Sequence, residues 1–306
     1  MKEKALIVKP AVKETGFQME GYHIWCGSVL KENGTYYLFA ARWEKEKGFP
    51  NGYLSDSEIV LATTDDLSKP FVFQKVIIGK RDGGYWDSMM AHNPYITKIG
   101  DEYVLFYIGN PDGKAETRTI GWARTKDLCG EWERSAQPIE LPPDANNPCP
   151  VPTKDGVLLY FRDGNLKVSV AKADRYDGTY RVLNDDLFPG AKVEDMFVYE
   201  TDTGYKMVAE DCVGYYTGLA KGGVAFTSED GILWNGESAC QAYDFTVPYT
   251  DGSVIELQRR ERPFLLFDED KVYLFTAAKI NGETKLTGGD TWNMFVEVES
   301  IRICES

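Results

Sequence analysis

The sequence predicts an all-β fold, a five-bladed β-propeller with four-stranded antiparallel blades around a central channel, with residues 1–306 as one domain. Three observations predict it. A hairpin of two apolar strands recurs five times, and a third strand follows each hairpin. No interval keeps the roughly 3.6-residue apolar period of a helix for longer than a turn or two. Units of four strands repeated along a chain are typical of a β-propeller.

The hairpins define the blades in order. Their paired strands cover residues 23–30 and 36–43, 92–97 and 103–109, 147–151 and 157–163, 193–199 and 204–211, and 261–267 and 272–278. Aligned on Gly27, Pro94, Pro148, Met196 and Pro263, the copies lie 67, 54, 48 and 67 residues apart. The third strands are expected at 58–63, 119–124, 166–172, 223–228 and 293–298.

The fourth strand of each blade is less regular. A turn and an outer strand are expected at 126–132 and 228–234 in blades two and four. The fifth copy lacks an obvious outer strand, and the apolar segment 5–8 could supply it. Such pairing would close the ring and remove an exposed sheet edge.

The composition narrows the functional classes. The chain has 306 residues, of which 43% are hydrophobic, and a formal net charge of -14. This charge argues against nucleic acid and anionic membrane surfaces as partners. Residues 1–10 lack the apolar core of a signal peptide, and no apolar run approaches the ~20 residues of a membrane span. The six cysteines form no CxxC pair, so we expect reduced thiols in a cytoplasmic protein.

The fourth hairpin carries an unusual group of acids. Its first strand opens with Glu194 and Asp195, and its second strand ends with Glu210 and Asp211. Because antiparallel neighbours lie ~5 Å apart, these four side chains should gather at one end of the hairpin. Four acids in one place are costly unless they bind a ligand or take part in chemistry. Strand alternation would turn Glu194 and Asp195 to opposite faces, so only one is expected to point into the channel.

Blade geometry selects the other candidates. The start of strand one, the end of strand two and the start of strand three lie on one face of a propeller. The candidates on that face mix acids, amides, arginines and aromatic rings: Trp25, Arg42, Trp43, Asp87, His92, Asn93, Asn147, Arg162, Glu194, Asp195, Asp211, Glu261, Arg262 and Trp292. Sugars need such a mixture, because their hydroxyls accept and donate hydrogen bonds while the apolar ring face stacks on indole.

Two of these assignments leave alternatives open. Trp25, Trp43 and Trp292 are either sugar platforms or packing between blades. Alternation would place Arg260 and Arg262 on one face of their strand and Glu261 on the other, with either Glu261 or Arg262 meeting the channel.

At this point the sequence resembles the five-bladed propeller glycoside hydrolases, above all a group related to glycoside hydrolase families 43 and 117. The resemblance lies in short segments within about residues 22–296: 25–29, 41–43, 57–60, 86–94, 147–150, 193–195, 260–263 and 292–294.

The resemblance implies a division of roles among acids. Family 43 enzymes use an Asp as base, a second Asp that tunes the acid, and a Glu as acid. Glu194 matches that Glu, whereas the two Asp positions fall on Cys26 and Tyr95. Asp87 and Asp195 are the replacements that we consider. Families like 117 are expected to use a different set that includes a histidine, which makes His92 a candidate.

The sequence thus predicts an exo-acting glycoside hydrolase for short oligosaccharides or glycosides, with inversion favoured. Glu194 or Asp195 would be the acid, and Asp87 or the other member of the pair the base. A glycoside phosphorylase is an alternative, with Arg42, Arg260 and Arg262 around a phosphate. A non-catalytic carbohydrate-binding propeller is another. No HxH, HExxH or EF-hand spacing occurs, so no metal is assigned, although strand-head oxygens leave a central Ca²⁺ open.

Overall fold

The computed structural model describes residues 4–303, and it contains five four-stranded antiparallel sheets arranged as the blades of a propeller. The first strand of the chain is β1 (Leu6–Val8). Blade one has β2 (Tyr22–Glu32), β3 (Thr35–Glu44), β4 (Glu58–Thr64) and β5 (Val72–Ile78). Blade two has β6 (Met90–Ile99), β7 (Glu102–Asn110), β8 (Thr119–Thr125) and β9 (Glu133–Arg134). Blade three has β10 (Asn146–Thr153), β11 (Gly156–Arg162), β12 (Val168–Ala173) and β13 (Arg181–Asn184).

Blades four and five follow the same order from the axis outwards. Blade four has β14 (Val193–Thr201), β15 (Gly204–Asp211), β16 (Gly222–Ser228) and β17 (Cys240–Gln241). A separate hairpin then forms from β18 (Thr246–Pro248) and β19 (Val254–Glu256). Blade five has β20 (Arg259–Asp268), β21 (Lys271–Ile280) and β22 (Asp290–Ile301), followed outwards by β1. The predicted fold class is confirmed.

The ring closes as the sequence suggested. β1 pairs antiparallel with β22, with Leu6 opposite Ile301 and Ile7 opposite Ser300. The first strand of the chain therefore completes the last blade, and β22 does not present a free edge.

The outer strands of blades two and four are shorter and later than predicted. They begin at Glu133 and Cys240 and have two residues each. The expected strand segments are instead turns, because Asp127 and Asp230 accept hydrogen bonds from backbone N–H groups two or three residues ahead. A side chain that satisfies the local backbone competes with strand pairing.

Helices are few and short. One α-helix, α1 (Tyr53–Asp56), lies between β3 and β4, and 3-10 turns occur at Lys45–Lys47, Ala115–Thr117 and Gly236–Ser238. Within residues 4–303 no helix combines the length and apolar character needed to cross a membrane.

The core lies between neighbouring blades. Between blades one and two, for example, Phe39 and Leu61 belong to the same buried cluster as Leu105 and Tyr107. Cys26 and Cys149 are buried free thiols, and Cys129 and Cys212 are also free. Cys304 lies outside the described residues.

Each innermost strand breaks its alternation at the same place. One residue has a positive φ and the pairing register shifts around it. The five equivalent residues are Cys26 (φ 53°), Asn93 (52°), Asn147 (54°), Asp195 (59°) and Arg262 (59°). A bulge of this kind re-aims a side chain. Together these residues line the central channel, and we call them the channel ring.

The channel is blocked beyond the channel ring. Tyr95, Phe197 and Phe264 come from three innermost strands, and their ring centroids lie 4.9–6.2 Å apart. Only a small cavity of about 40 Å³ remains between this aromatic plug and the ring residues. The three rings therefore close the channel on one side of the channel ring.

The closure strand supplies a first test. Leu6 is 1% exposed, so Leu6→Ala should lower the free energy of unfolding by about 2–4 kcal/mol through lost burial and a cavity. Urea denaturation measures this loss. Val12→Ala, at a site that is 46% exposed, is the control and should change stability by less than about 0.5 kcal/mol. Equal stability of the Leu6 variant and wild type would show that β1 does not hold the ring closed.

Candidate active site

The channel ring is joined by polar contacts from blade to blade. The Cys26 thiol donates to Asn93 Oδ1 at 3.0 Å, and Asn93 Nδ2 donates to Asn147 Oδ1 at 3.2 Å. Asn147 Nδ2 donates to Asp195 Oδ1, and Arg262 Nη1 lies 2.7 Å from that same oxygen. The innermost strands of all five blades are thus tied together around the axis. Asn93, Asn147, Asp195 and Arg262 were candidates from the sequence, whereas Cys26 was not.

Three further acids stand beside the ring. Glu194 and Glu210 are opposite each other in the β14–β15 pair, as the hairpin predicted. Carboxylate oxygens of Asp195, Glu210 and Glu261 all lie within 4.8 Å of one another. Glu261 and Arg262 therefore both reach the site, and the expectation that only one of them does so is wrong. The left-handed residue in the strand is the reason, since it cancels the alternation between neighbours.

Four cations face these four acids. Lys221 Nζ lies 2.7 Å from Glu194 Oε1 and 2.5 Å from Glu210 Oε1. Arg162 Nε lies 3.3 Å from Glu194 Oε2. Arg259 binds Glu261 through both Nε and Nη2, and Arg262 binds Asp195. Buried charges require partners of this kind.

The environment pushes the pKa values of the neighbouring acids apart. Burial raises the pKa of Glu194, but the Lys221 ammonium and the Arg162 guanidinium outweigh it and hold that pKa well below the usual range. Burial raises the pKa of Asp195 to about 7. Arg262 opposes that rise, whereas the negative charges of Glu194 and Glu261 add to it. At neutral pH Glu194 is therefore ionised, and Asp195 is the member of the pair that holds a proton more readily.

Glu210 is a second proton-holding group. It is fully buried, and its Oε2 has no hydrogen-bond partner among the described residues. Burial, together with the charges of Glu261 and Glu194, raises its pKa well above the usual range despite Lys221.

An aromatic wall flanks the other side of the site. The His92 ring stacks on Tyr53 at 4.5 Å and meets the edge of Trp43 at 5.6 Å. Its Nδ1 lies 2.8 Å from Ser57 Oγ. Burial, with Arg262 and Arg118 contributing, lowers the pKa of His92 well below its ordinary value, so the imidazole is neutral. Burial also raises the pKa of the Cys26 thiol to about 12, which keeps Cys26 from acting as a thiolate.

Several contributing residues were missed from the sequence. Lys221 lies directly before β16, whose start was expected at residue 223, so Lys221 fell outside the predicted strand. Tyr53 lies in an insertion between strands, and its hydroxyl accepts from Arg118 Nη1 at 2.6 Å. Arg118 also binds Asp144 through Nε and Nη2. The repeat pattern does not identify site residues that lie in an insertion, such as Tyr53 within residues 45–57.

Asp87 is not brought together with these acids. It is fully buried, with Arg81 Nε donating to Oδ1 at 2.6 Å and the Tyr107 hydroxyl donating to Oδ2 at 2.7 Å. Arg134 Nη1 lies 3.5 Å from Oδ2. Its contacts are those of a structural ion pair, and we do not retain it as a base.

Asp211 turns away from its neighbours to hold a loop. Its carboxylate accepts hydrogen bonds from the backbone N–H groups of Tyr215, Tyr216 and Thr217 and from Thr217 Oγ1, at 2.9–3.0 Å. This loop leads from β15 to Lys221. Asp211 therefore positions the loop rather than lining the channel, in contrast to the prediction.

The remaining predicted sugar platforms and Arg42 either make structural contacts or lie outside the channel. Trp25 and Trp43 are buried and pack on Phe49, so they take the packing alternative. Arg42 binds Glu58 through Nε and Nη2. Trp292 lines a separate groove.

The arginines proposed for a phosphate do not converge. Arg260 contacts Thr276 Oγ1, the Asp244 carbonyl and the Tyr243 ring, whereas Arg262 binds Asp195 and Arg42 binds Glu58. The expectation that Arg260 and Arg262 share one face is therefore wrong. These three arginines therefore do not form the phosphate-binding pocket that the phosphorylase alternative requires.

A metal ion would have to share the acids with these cations. The oxygen donors that could hold Ca²⁺ are Asp195, Glu210 and Glu261, and another group combines Glu194 and Glu210 with Cys212. Lys221, Arg259 and Arg262 already bind these carboxylates. Because four acids face four cations, a divalent ion would leave excess positive charge, and the residues present do not fit one.

No family model and no curated protein matches the sequence. Solved structures do match it in fold. One is described as a glycoside hydrolase, with a TM-score of 0.74, 14% identity and coverage of 95% of this chain and 92% of that chain. Another is Zg3597, a family 117 glycoside hydrolase from the marine bacterium Zobellia galactanivorans, with a TM-score of 0.68, 14% identity and coverage of 98% and 93%.

A third is CoXyl43, a family 43 β-xylosidase/α-arabinofuranosidase from a compost microbial metagenome, in complex with xylotriose. It has a TM-score of 0.64, 12% identity and coverage of 96% of this chain and 100% of that chain. At such identities the likeness establishes the shared five-bladed propeller fold. The expected resemblance is confirmed at that level.

The position of Asp211 yields a test. In Asp211→Asn the loop loses charge-assisted hydrogen bonds, so amide hydrogen exchange at residues 215–217 should speed up at least about tenfold, with a loss of about 1–3 kcal/mol in stability. Hydrogen-exchange mass spectrometry measures it. The exposed turn variant Asp202→Asn is the control. Unchanged exchange in Asp211→Asn would contradict the anchoring role.

Proposed function

We propose that this protein is a glycoside hydrolase that acts on short oligosaccharides or glycosides. The observation that carries the proposal is the different surroundings of two neighbouring acids. Glu194 lies against Lys221 and Arg162, which lower its pKa, whereas Asp195 is buried beside other acids, which raises its pKa despite Arg262. Glycoside hydrolysis needs one carboxylic acid and one carboxylate beside the scissile bond. The fold shared with solved glycoside hydrolases supports this reading.

Asp195 is the proposed acid. Its contacts with Asn147 and Arg262 both fall on Oδ1, so among the described residues Oδ2 is the oxygen left to carry the proton. From Oδ2 the proton would pass to the glycosidic oxygen as the bond from the anomeric carbon to that oxygen breaks. Asp195 thereby becomes a carboxylate, which Arg262 is placed to stabilise.

Glu194 is the proposed base. It is the more exposed of the two, at 19% of its side chain against 2% for Asp195. Its carboxylate, held ionised by Lys221 and Arg162, would take a proton from the water that attacks the anomeric carbon. Water attack in one step inverts the anomeric configuration, which is the outcome that we propose.

The shape of the site favours attack at a chain end. The aromatic plug of Tyr95, Phe197 and Phe264 closes the channel beneath the ring residues. Because the channel is closed on one side, a sugar chain could not thread through it, and only a chain end could approach the acids along the axis. We therefore propose exo action, with His92 and Tyr53 forming one wall of the pocket.

A second candidate is a carbohydrate-binding propeller without catalysis. The observation that favours it is that Asp195 is almost wholly buried and ion-paired. In both cases the partner is an oligosaccharide or glycoside. We also propose a cytoplasmic location, where the buried thiols of Cys26 and Cys149 stay reduced.

Substitution of the two acids separates these candidates. Against a panel of aryl glycosides and short oligosaccharides, Glu194→Gln and Asp195→Asn should each lower kcat/KM by about 10²–10⁴, because each removes a proton-transfer group. Initial-rate kinetics measure this loss, with Asp202→Asn at the far end of the same hairpin as the control. Turnover of any active glycoside at wild-type rates by both variants would contradict the assignment.

The pH profile gives an independent check. Asp195 must be protonated, so its pKa of about 7 predicts that kcat/KM holds below that pH and falls about tenfold per unit above it. Glu194 must be ionised, and its lowered pKa keeps activity as the pH falls towards about 4. Activity that rises steadily through pH 8 would show that Asp195 is not the acid.

A further inference from the structure

A second groove opens on the same face of the propeller as the candidate active site. Glu194 and Glu210 pair where β14 begins and β15 ends. The corresponding ends of blades one and five are the Tyr22–Glu44 pair and the Ile280–Asp290 pair. Tyr22, Ile280 and Asp290 line this groove, which also takes residues from the segment 14–20 and the β18–β19 hairpin region. We call it the side groove.

The side groove is a separate site rather than an extension of the channel. Among the described residues, none lines both the channel cavity and the side groove, and the buried Phe49 packs on both Trp25 and His23. His23 in turn meets Thr291 Oγ1 at 3.3 Å. The groove has a volume of about 510 Å³, which is within the size of small-molecule sites.

Aromatic side chains form much of its surface. Tyr22, Tyr249 and Trp292 are all partly exposed along it. The Arg42 guanidinium lies 4.4 Å from the centre of the Tyr22 ring and holds that ring in place. Rigid, half-exposed aromatic rings present flat apolar area at low entropic cost, which suits the apolar face of a pyranose or furanose ring.

The charges on the groove determine what kind of ligand it accepts. Glu14, Glu20 and Asp290 contribute three carboxylates. Among residues 4–303 the one cation of the lining is Lys45, which is already bound to Asp290 at 2.7 Å. Excess negative charge repels anions, whereas carboxylates accept hydrogen bonds from hydroxyl groups. Flat aromatic rings beside carboxylate acceptors match a neutral polyhydroxylated ligand.

From this combination we propose that the side groove is a second carbohydrate-binding site for a neutral oligosaccharide, with Trp292 as its main platform. It would hold a glycan away from the channel in which the acids lie. The choice of a carbohydrate draws on the proposed function, but binding at the groove requires no turnover.

Binding stoichiometry tests the proposal. The probes are neutral xylo-, cello- and manno-oligosaccharides of about three to six units, with oligogalacturonates as the anionic comparison. Isothermal titration calorimetry uses the slow variant Glu194→Gln, so that the probes persist. We expect the neutral probe with the highest affinity to bind Glu194→Gln at two sites. In the double variant that also carries Trp292→Ala, one of these sites should be lost or its affinity should fall at least about tenfold.

Trp122→Ala provides the matched control, because Trp122 is also a partly exposed tryptophan but lies on blade two against Tyr176 and should leave both sites intact. If the protein shows no glycosidase activity, detection of one binding site that Trp292→Ala removes would still support carbohydrate binding at the side groove.

Three results would overturn the proposal. One is the absence of any neutral oligosaccharide bound outside the channel. Another is unchanged stoichiometry and affinity in Trp292→Ala. A third is preferential binding of oligogalacturonate at the groove. None of these depends on whether Glu194 and Asp195 catalyse hydrolysis, so the two proposals fail separately.

Discussion

Four acidic side chains and four cationic ones meet, largely shielded from water, where the innermost strands begin, and the cations offset the cost of burying the acids. Removing an ion from water costs several kcal/mol even after the protein relaxes, and only a well-placed counter-ion offsets that cost. Lys221 bridges Glu194 and Glu210, while Arg262 joins Asp195 from the neighbouring blade. This balance also explains why the acids differ: Glu194 lies next to two cations, whereas burial dominates at Asp195.

The backbone makes this concentration of charge geometrically feasible. A regular strand would send Glu194 and Asp195, or Glu261 and Arg262, to opposite faces. The left-handed residue in each innermost strand lets both members of the pair approach the axis. The five blades supply equivalent positions, and the sequence fills them with a thiol, two amides, an acid and a guanidinium. The differences between these side chains decide what the shared scaffold can do.

The fold could be predicted in outline because its signals are local. Apolar hairpins mark the inner strands, and the leading segment 5–8 needs a partner that only the last blade offers. The site was predicted in part for the same reason: Asn93, Asn147, Arg162, Glu194, Asp195, Glu261 and Arg262 all sit at strand ends and do meet or lie beside the ring. What sequence order does not give is side-chain direction.

Asp87 and Asp211 show that limit clearly. Each lies close in sequence to a strand end at the site. The Asp87 carboxylate, however, binds two arginines and a tyrosine, and the Asp211 carboxylate binds backbone N–H groups of a loop. Lys221 and Tyr53 were missed because they lie outside the predicted strands. The identities of Asn93 and Asn147 are consistent with the positive φ at these positions, because Asn tolerates positive φ better than most residues.

The proposed mechanism requires two neighbouring acids to hold different protonation states, and carboxyl ¹³C NMR observes those states directly. A pH titration of protein labelled at Asp and Glu carboxyl carbons, with resonances assigned through Glu194→Gln and Asp195→Asn, would follow each group. Asp195 should titrate near pH 7, while Glu194 should stay ionised throughout the accessible acid range. Two ordinary titrations near pH 4, or an ionised Asp195 at pH 5, would contradict it.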